Sequence, residues 1–507
     1  MTGQDGFKTP LPAQDVFAET FDSGKPQVVW RKLVNDTDTP VSAYLKIAGN
    51  RKNAFLLESV EGGEALGRYS IIGLQPDLVW QFRDGAVKRV RYDADNQAVS
   101  EQEDRPFLSS LKALLAESQI DLPPEIAHQL PPMFAGVFGY FGYDVVNQLE
   151  KLPDNADNNL DLDDALFIRP TIIAVFDVVL REVTLITPVR PSAGQKSDDA
   201  YADACDRLET TVAALTNGSL PVSNPSPAGV KPVFTSNLTE AEFYEMVERS
   251  KSYIRAGDIF QVVLSQRYSA SFEADPFTLY RALRRHNPSP FLFYLNFDNC
   301  TLVGSSPEIL VRVRDNKVHI RPIAGTHSRG DQPEEDQRYE TELLADPKEL
   351  AEHLMLLDLG RNDVGRAAKL GSVEVTEKFG IERYSHVMHI VSHVTGELAA
   401  DMHEVDALMA GFPAGTVSGA PKIRAMEIIA ELEKDRRGPY AGCIGYFSAE
   451  GNLDTCIALR TAVIKDGTMH VQAGAGIVAD SDPAAENEEC RNKAGALMKA
   501  ALTATGH

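Results

Sequence analysis

Cysteine is scarce and scattered: Cys205, Cys300, Cys443, Cys456 and Cys490 in 507 residues, with no C-x-x-C pair. An odd number of thiols without paired spacing argues against a disulfide framework or a structural zinc, and for a reducing cytoplasm. Positive charge is also short: 50 Lys plus Arg stand against 73 Asp plus Glu, a formal net charge of −23. No Lys/Arg-rich run is present, so neither nucleic acid nor an anionic membrane surface is an expected partner. No apolar run approaches the ~20 residues that span a bilayer. Met1 to Pro10 hold neither the basic nor the apolar region of a secretory signal. There is no repeat of fixed period and no regular βαβ alternation.

Hydrophobic residues, at 43%, suffice for two or three cores. Short strand-like runs (Ala54–Leu57, Leu78–Phe82, Ala86–Val90, Thr171–Val179) fill the first part of the chain, and a helix is predicted from Asp198 to Leu215. Residues 217–232, rich in Pro, Ser, Gly and Asn, read as a linker. They divide the chain into 1–216 and 233–507. After the linker, Thr239 and Glu242 form a capping box for a helix ending at Gly257. Helices are also expected at Asp275–Arg285, Pro347–Leu359, Lys422–Leu432 and Asn487–Ala501, and strands at Ile259–Ala270, Phe291–Phe297 and Thr301–Val303. Mixed strands and helices in this order predict an α+β fold with antiparallel sheets.

Three motifs tempt and fail. Gly474-Ala-Gly476-Ile-Val-Ala479 follows a strand at Met469–Gln472, but Asp480-Ser-Asp-Pro483 cannot continue as the helix a dinucleotide site needs. Its bare positions still let a ligand approach the backbone. Gly415-Thr-Val-Ser-Gly419-Ala-Pro-Lys422 lacks the Gly-Lys-Ser/Thr of a phosphate loop and reads as a turn before a helix. His386, His389 and His393 would share a face on a helix. Their β-branched neighbours Val387, Ile390, Val391 and Val394 indicate a strand, with 389 and 393 ~13 Å apart, too far to share an ion.

Two carboxylate pairs stand out at i, i+3 helical spacing: Glu349 with Glu352, and Glu486 with Glu489. Leu354 to Leu357 follow the first pair, so that helix is expected to be largely buried. Carboxylates there need a cation, and Mg2+ suits oxygen donors completed by water and substrate. Arg460, in an apolar strand-like run, and Lys493, one turn past Glu489, are cations suited to an anionic substrate. The residues alone suggest a Mg2+-dependent enzyme for a small polycarboxylate.

Five ordered motifs sharpen this. Arg321-Pro-Ile-Ala-Gly-Thr326, the run Ala351 to Asp363, the run Gly411 to Lys422, Arg437-Gly-Pro-Tyr440, and Gln472 to Val478 with Glu486 and Glu489 resemble the chorismate-utilising enzymes, in particular anthranilate synthase component I. The resemblance spans nearly the whole chain and is strongest after residue 234. It implies an antiparallel β-sandwich with flanking helices. It also implies Mg2+ on Glu352 and Glu489, with Glu349 and Glu486 behind them or acting through water. Chorismate would meet Gly325, Thr326, Tyr440, Arg460, Gly474, Ala475 and Gly476. Thr416 and Lys493 would contact the substrate further, and His389 would act as acid or base.

The implied reaction adds ammonia at C2 of chorismate, expels the C4 hydroxyl and eliminates pyruvate to give anthranilate. Aminodeoxychorismate synthase component I is the nearest rival. It typically has a nucleophilic Lys where this chain has Ala324, which favours the anthranilate branch. A catalytically silent regulatory subunit is a second alternative, opposed by the intact Glu352, Glu489, Arg460 and His389. Phe55-Leu-Leu-Glu-Ser59 resembles the family's tryptophan-feedback segment, with Ser59 the matching contact. Asn287 to Tyr294 resembles its second wall, with Pro290, Phe291 and Leu292 matching, so 1–216 is expected to be regulatory and 233–507 catalytic. No cysteine lies in a Gly-x-Cys-x-Gly setting. Ammonia is therefore expected from a separate glutamine amidotransferase subunit in a hetero-oligomer.

Overall fold

Two long strands organise the molecule. In the computed structural model, Tyr69–Arg83 and Ala165–Asp177 pair antiparallel from Tyr69↔Asp177 to Phe82↔Ala165, with one register shift between Pro76 and Leu78. Residues 9–507 are described, apart from 60–66, 94–96, 154–155, 193, 221–229, 331 and 384–386. At the shift the ribbon passes from one sheet to another. Before it, Ser70–Gly73 carry strand Ala54–Glu58 and Ile173–Asp177 carry Glu182–Val189. Beyond it, Leu78–Arg83 carry Ala86–Tyr92 and Ala165–Ile168 carry Gly136–Phe141.

From the ribbon the first sheet extends through Ala54–Glu58, Phe291–Asn296, Thr301–Ser306, Thr461–Lys465, Thr468–Ile477 and Gln261–Ser271. The second extends through Gly136–Phe141, Cys443–Ser448, Leu453–Ile457, Ile309–Arg314, Lys317–Ile320 and Val387–Glu397. Their inner faces share a core that includes Trp30, Phe55, Ile71, Phe138, Ile168, Phe293 and Tyr446. Helices cover both outer faces. Phe17, Leu208, Tyr280 and Leu497 come from those on the first sheet, and Phe107, Leu357 and Leu408 from those on the second, while Phe243 and Ile428 come from helices packed on the far strand of the first, Gln261–Ser271. The fold is thus the α+β antiparallel sandwich with flanking helices. The strands on either side of the linker pair directly, Ala54–Glu58 with Phe291–Asn296 and Gly136–Phe141 with Cys443–Ser448. The segments 1–216 and 233–507 therefore share both sheets; of the linker, 221–229 lie outside the described residues.

Local signals were realised closely. Thr239 Oγ1 accepts from Glu242 N at 3.3 Å, Glu242 Oε2 accepts from Thr239 N at 2.8 Å, and Gly257 ends the helix at φ 82°. Lys422–Leu432 is a helix with the expected bounds. Four expectations need correction. The helix begun at Pro347 runs on to Ala367, and it buries one stripe only: Leu354 is 45% exposed. The closing helix begins at Pro483, not Asn487. The strand at Met469 continues through both glycines to Ile477. Arg460 lies between strands Leu453–Ile457 and Thr461–Lys465, not within one. Among the described residues no helix is long and apolar enough to cross a membrane.

Candidate active site

Both carboxylate helices start the same way. Asp346 caps Pro347–Ala367 by accepting from Lys348 N and Glu349 N, and Asp482 caps Pro483–Ala504 by accepting from Ala484 N and Ala485 N. Each places Pro at the first helical position, where its fixed φ and missing N–H do no harm. The Asp-Pro pairs are a start signal that moves Glu486 into the first turn, and reading it would have placed the closing helix correctly. In the first turn, where Glu349 and Glu486 lie, a carboxylate is favoured by the macrodipole. Glu352 and Glu489 follow one turn on, and with Glu486 they line one cleft of about 580 Å³.

The cleft also brings together His389, Thr416, Tyr440, Arg460, Gly474, Gly476 and Lys493, with Ala324 and Glu308. Strand Thr468–Ile477 pairs with Gln261–Ser271 along its length, but with Thr461–Lys465 only as far as Val471. From Gln472 onward its other edge faces the cleft. A Cβ at Gly474 would lie 2.7 Å from the Tyr440 hydroxyl, and one at Gly476 2.6 Å from Gln261 Nε2, so side chains of the protein itself use part of the space the glycines leave. Lys493 Nζ donates to Gly474 O at 3.0 Å and pairs with Glu489 Oε1 at 2.6 Å. Ala475 turns its side chain into the core, so only its backbone can serve the cleft.

Gly325 (φ 68°) sits at the bulge between Ala324 and Thr326, where Ile323–Ser328 meets Val387–Glu397. Such bulges re-aim neighbouring groups. Gly325 O lies 3.2 Å from His389 Nδ1. With Nδ1–H donating there, Nε2 is the basic nitrogen. Burial holds His389 below the usual histidine range, and the Arg460 charge pushes the same way. A Cβ on Gly325 would be 3.2 Å from Glu349 Oε2, which places Glu349 beside the bulge rather than in the cleft. Thr326 pairs with His389 across the strands; its side chain, like His386, lies outside the described residues. Arg460 has φ 46° and Ala441 φ 63°, left-handed conformations that cost non-glycine residues energy and often mark functional sites.

Glu308 is the titratable residue of the cleft that the sequence did not single out. Burial pushes its carboxyl up to about 8, against the pull of the Thr416 hydrogen bond and of Arg321 and Arg460. Thr416 Oγ1 donates to Glu308 Oε1 at 3.2 Å. A lone Glu after Ser-Ser-Pro carries no local signal; only burial makes it an acid. Beneath the site, Arg437 donates to Val417 O and Val263 O, both at 2.7 Å, and pairs with Glu433, with Tyr440 and Tyr143 against its guanidinium.

Among the described residues no three His, Cys, Asp or Glu side chains stand close enough to hold an ion by themselves. The donors in the cleft are carboxylate oxygens on two helices, short of a full shell. Burial and the Glu489 charge both raise the Glu486 pKa, a mark of negative charge not fully compensated. That set fits Mg2+, which takes one or two carboxylates and fills the rest with water and substrate.

A second cavity, of about 130 Å³, lies where the two sheets meet. Ser59, Phe291 and Leu292 line it with Ile71, Met133, Tyr446, Arg312, Arg314 and Asp454; Pro290 is buried but not among its walls. Ser59 Oγ is buried without a hydrogen-bond partner.

A cleft lined by Arg460, Lys493 and carboxylates from two helices, on a two-sheet sandwich, fits one class: residues 59–499 match the family described as chorismate binding enzyme, and the chain belongs to that family and acts on chorismate. The particular likeness is to anthranilate synthase component 1 of Cereibacter sphaeroides, 52% identical over 487 residues and 96% of each chain. The crystal structure of anthranilate synthase component I from Streptococcus pneumoniae superposes with a TM-score of 0.73 at 35% identity, over 92% of this chain and 98% of that one. The menaquinone-specific isochorismate synthase of Escherichia coli shares the fold, with a TM-score of 0.66 at 20% identity over 96% of this chain and all of that one.

Proposed function

We propose that the chain is the large subunit of anthranilate synthase, joining ammonia to chorismate and eliminating pyruvate, with feedback by tryptophan. One observation carries the chemistry: a neutral acid, Glu308, and a neutral base, His389, line the same cleft as Arg460, Lys493 and two carboxylate helices. Arg460 and Lys493 neutralise the substrate carboxylates, which an overall charge of −23 would otherwise repel. Mg2+ held by Glu352 and Glu489 would supply Lewis-acid polarisation of a substrate carboxylate. Glu308 donates the proton that lets the C4 hydroxyl leave as ammonia bonds to C2. His389 Nε2 then takes the C2 proton as the enolpyruvyl group leaves. Proton transfer of this kind contributes about 10²–10⁴ in rate.

Ala324 lines the cleft where the para-aminobenzoate branch uses an amine. Lys493, the alternative nucleophile, is tied to Glu489 and Gly474 as a cation. External ammonia therefore attacks directly, and a separate amidotransferase subunit supplies it from glutamine. The apolar cavity at Ser59 suits an indole, with Ser59 left for the amino-acid end beside the Arg312–Asp454 ion pair. Its wall strand Phe291–Asn296 pairs with Thr301–Ser306, which leads through Pro307 to Glu308. Anthranilate fluorescence from chorismate, Mg2+ and ammonium tests the assignment. Para-aminobenzoate precursors, or no product, would refute it.

A further inference from the structure

His353 follows Glu352 in the helix Pro347–Ala367 and is fully buried. Glu352 is a wall of the cleft and His353 is not. Its Nε2 lies 2.7 Å from Ser392 Oγ. Its Nδ1 is buried and has no hydrogen-bond partner among the described residues. The Phe379 ring packs against the imidazole, with centroids 5.2 Å apart. An aliphatic side chain would fill this space without leaving a polar atom unsatisfied. What histidine adds is the bond to Ser392.

Ser392 is a junction. It lies three residues past His389 on strand Val387–Glu397, so the two side chains leave opposite faces of the strand. His389 enters the cleft, and Ser392 meets the helix of Glu352. Ser392 Oγ also accepts from Phe379 N at 3.1 Å. Phe379 has φ 55° and lies where Glu374–Arg383 shifts register against Val387–Glu397. Ser392 N donates to Pro322 O at 3.1 Å, one residue before the strand that carries Ala324 and Gly325. One serine thus ties the helix of Glu352 to three strands beside the cleft.

We propose that His353 is a positioning residue: its bond to Ser392 sets where the Glu352 helix sits against the strand of His389, and with it the Mg2+ affinity of the site. This role rests on the reading of Glu352 and Glu489 as Mg2+ ligands. Its physical basis is direction. Leu356 and Leu357 are buried on the same helix, but apolar contact is non-directional and tolerates a small roll or slide. A short hydrogen bond does not. Mg2+ demands near-ideal octahedral geometry, so a small shift of one carboxylate weakens its binding more than it weakens the fold.

The test titrates Mg2+ by calorimetry into the full chain with chorismate present and ammonium absent, and follows the thermal midpoint without Mg2+ in parallel. His353→Leu fills the space without the hydrogen bond. Its Mg2+ affinity should fall about tenfold, as expected for a group that holds a metal ligand in place. Its thermal midpoint should stay level or rise, because the unsatisfied Nδ1 is gone. His353→Gln returns an amide near the Nε2 position and should keep affinity within about twofold of the parent. Ser392→Ala should lose what His353→Leu loses, and the double variant no more, since both remove one bond. Unchanged Mg2+ affinity in a folded His353→Leu protein overturns the proposal. Equal losses in His353→Leu and His353→Gln with a lowered midpoint overturn it too, because they make His353 a packing residue. Should His353→Leu misfold, unchanged affinity in Ser392→Ala overturns it equally. Mg2+ binding that survives both Glu352→Ala and Glu489→Ala refutes the reading of the ligands instead.

Discussion

The cleft and the Ser59 cavity are opposites. The cleft is wide, charged and built wholly from residues after 260. The smaller cavity is mostly apolar and assembled from 57–59, 69 and 71, 132–133, 291–293, 312 and 314, and residues between 444 and 456. One is made of groups that do chemistry on an anion; the other of walls that recognise a shape. The contrast is one of assembly: the smaller cavity needs contacts across the linker, whereas the cleft does not. Glu308, in the cleft, lies two residues past the strand that pairs with the wall strand of the smaller cavity.

If the contrast is real, the two sites break separately. On the proposal that Glu352 and Glu489 hold Mg2+, Glu352→Ala and Glu489→Ala should each lower kcat by about 10³ or more, since each would remove a ligand of the Lewis acid. Tryptophan binding, followed by calorimetry, should not change; a joint loss would show that the sites are one. Glu308→Gln keeps the shape and the Thr416 contact but removes the proton, so kcat should fall by about 10²–10⁴. In the parent chain the chemical step should slow as pH rises through about 8, where Glu308 loses its proton, and that limb should vanish in the variant. Ser59→Phe fills the smaller cavity and should weaken tryptophan inhibition at least about tenfold with kcat intact. Unchanged inhibition would remove the assignment.

The smallest effect is on stability. The folded-state pKa of Glu308 is raised from 4.5 to about 8. The folded form binds the proton better, so this stabilisation is full below about 4.5 and lost as pH rises through 8. Glu308→Gln lacks the dependence. Relative to the parent, it should gain in thermal midpoint between pH 5 and pH 9.

Much of this was legible because its signals are local. The capping box at Thr239, the β-branched run around His389 and the helix at Lys422 each depend on a few neighbouring residues. Glu352 and Glu489 were nameable because helical spacing and the family motifs agree. Arg460 misled: its apolar neighbours suggest strand, but the chain turns there with φ 46°. The helix of Glu352 misled in another way, because Leu354 belongs to its exposed face. Glu308 was invisible because a carboxyl's proton affinity depends on desolvation, a property of the surroundings.

The sequence by itself determined the elements, the cationic and carboxylate inventory, and the absence of an amine at Ala324. Only the tertiary structure decided that both sheets run across the linker, that Glu308 is held protonated, and that Ser59 faces Phe291 and Leu292. The physical reason is range. Backbone propensity and helical spacing act within a few residues, but strand pairing between Leu57 and Phe293 and the burial of Glu308 arise only when distant segments exclude water together.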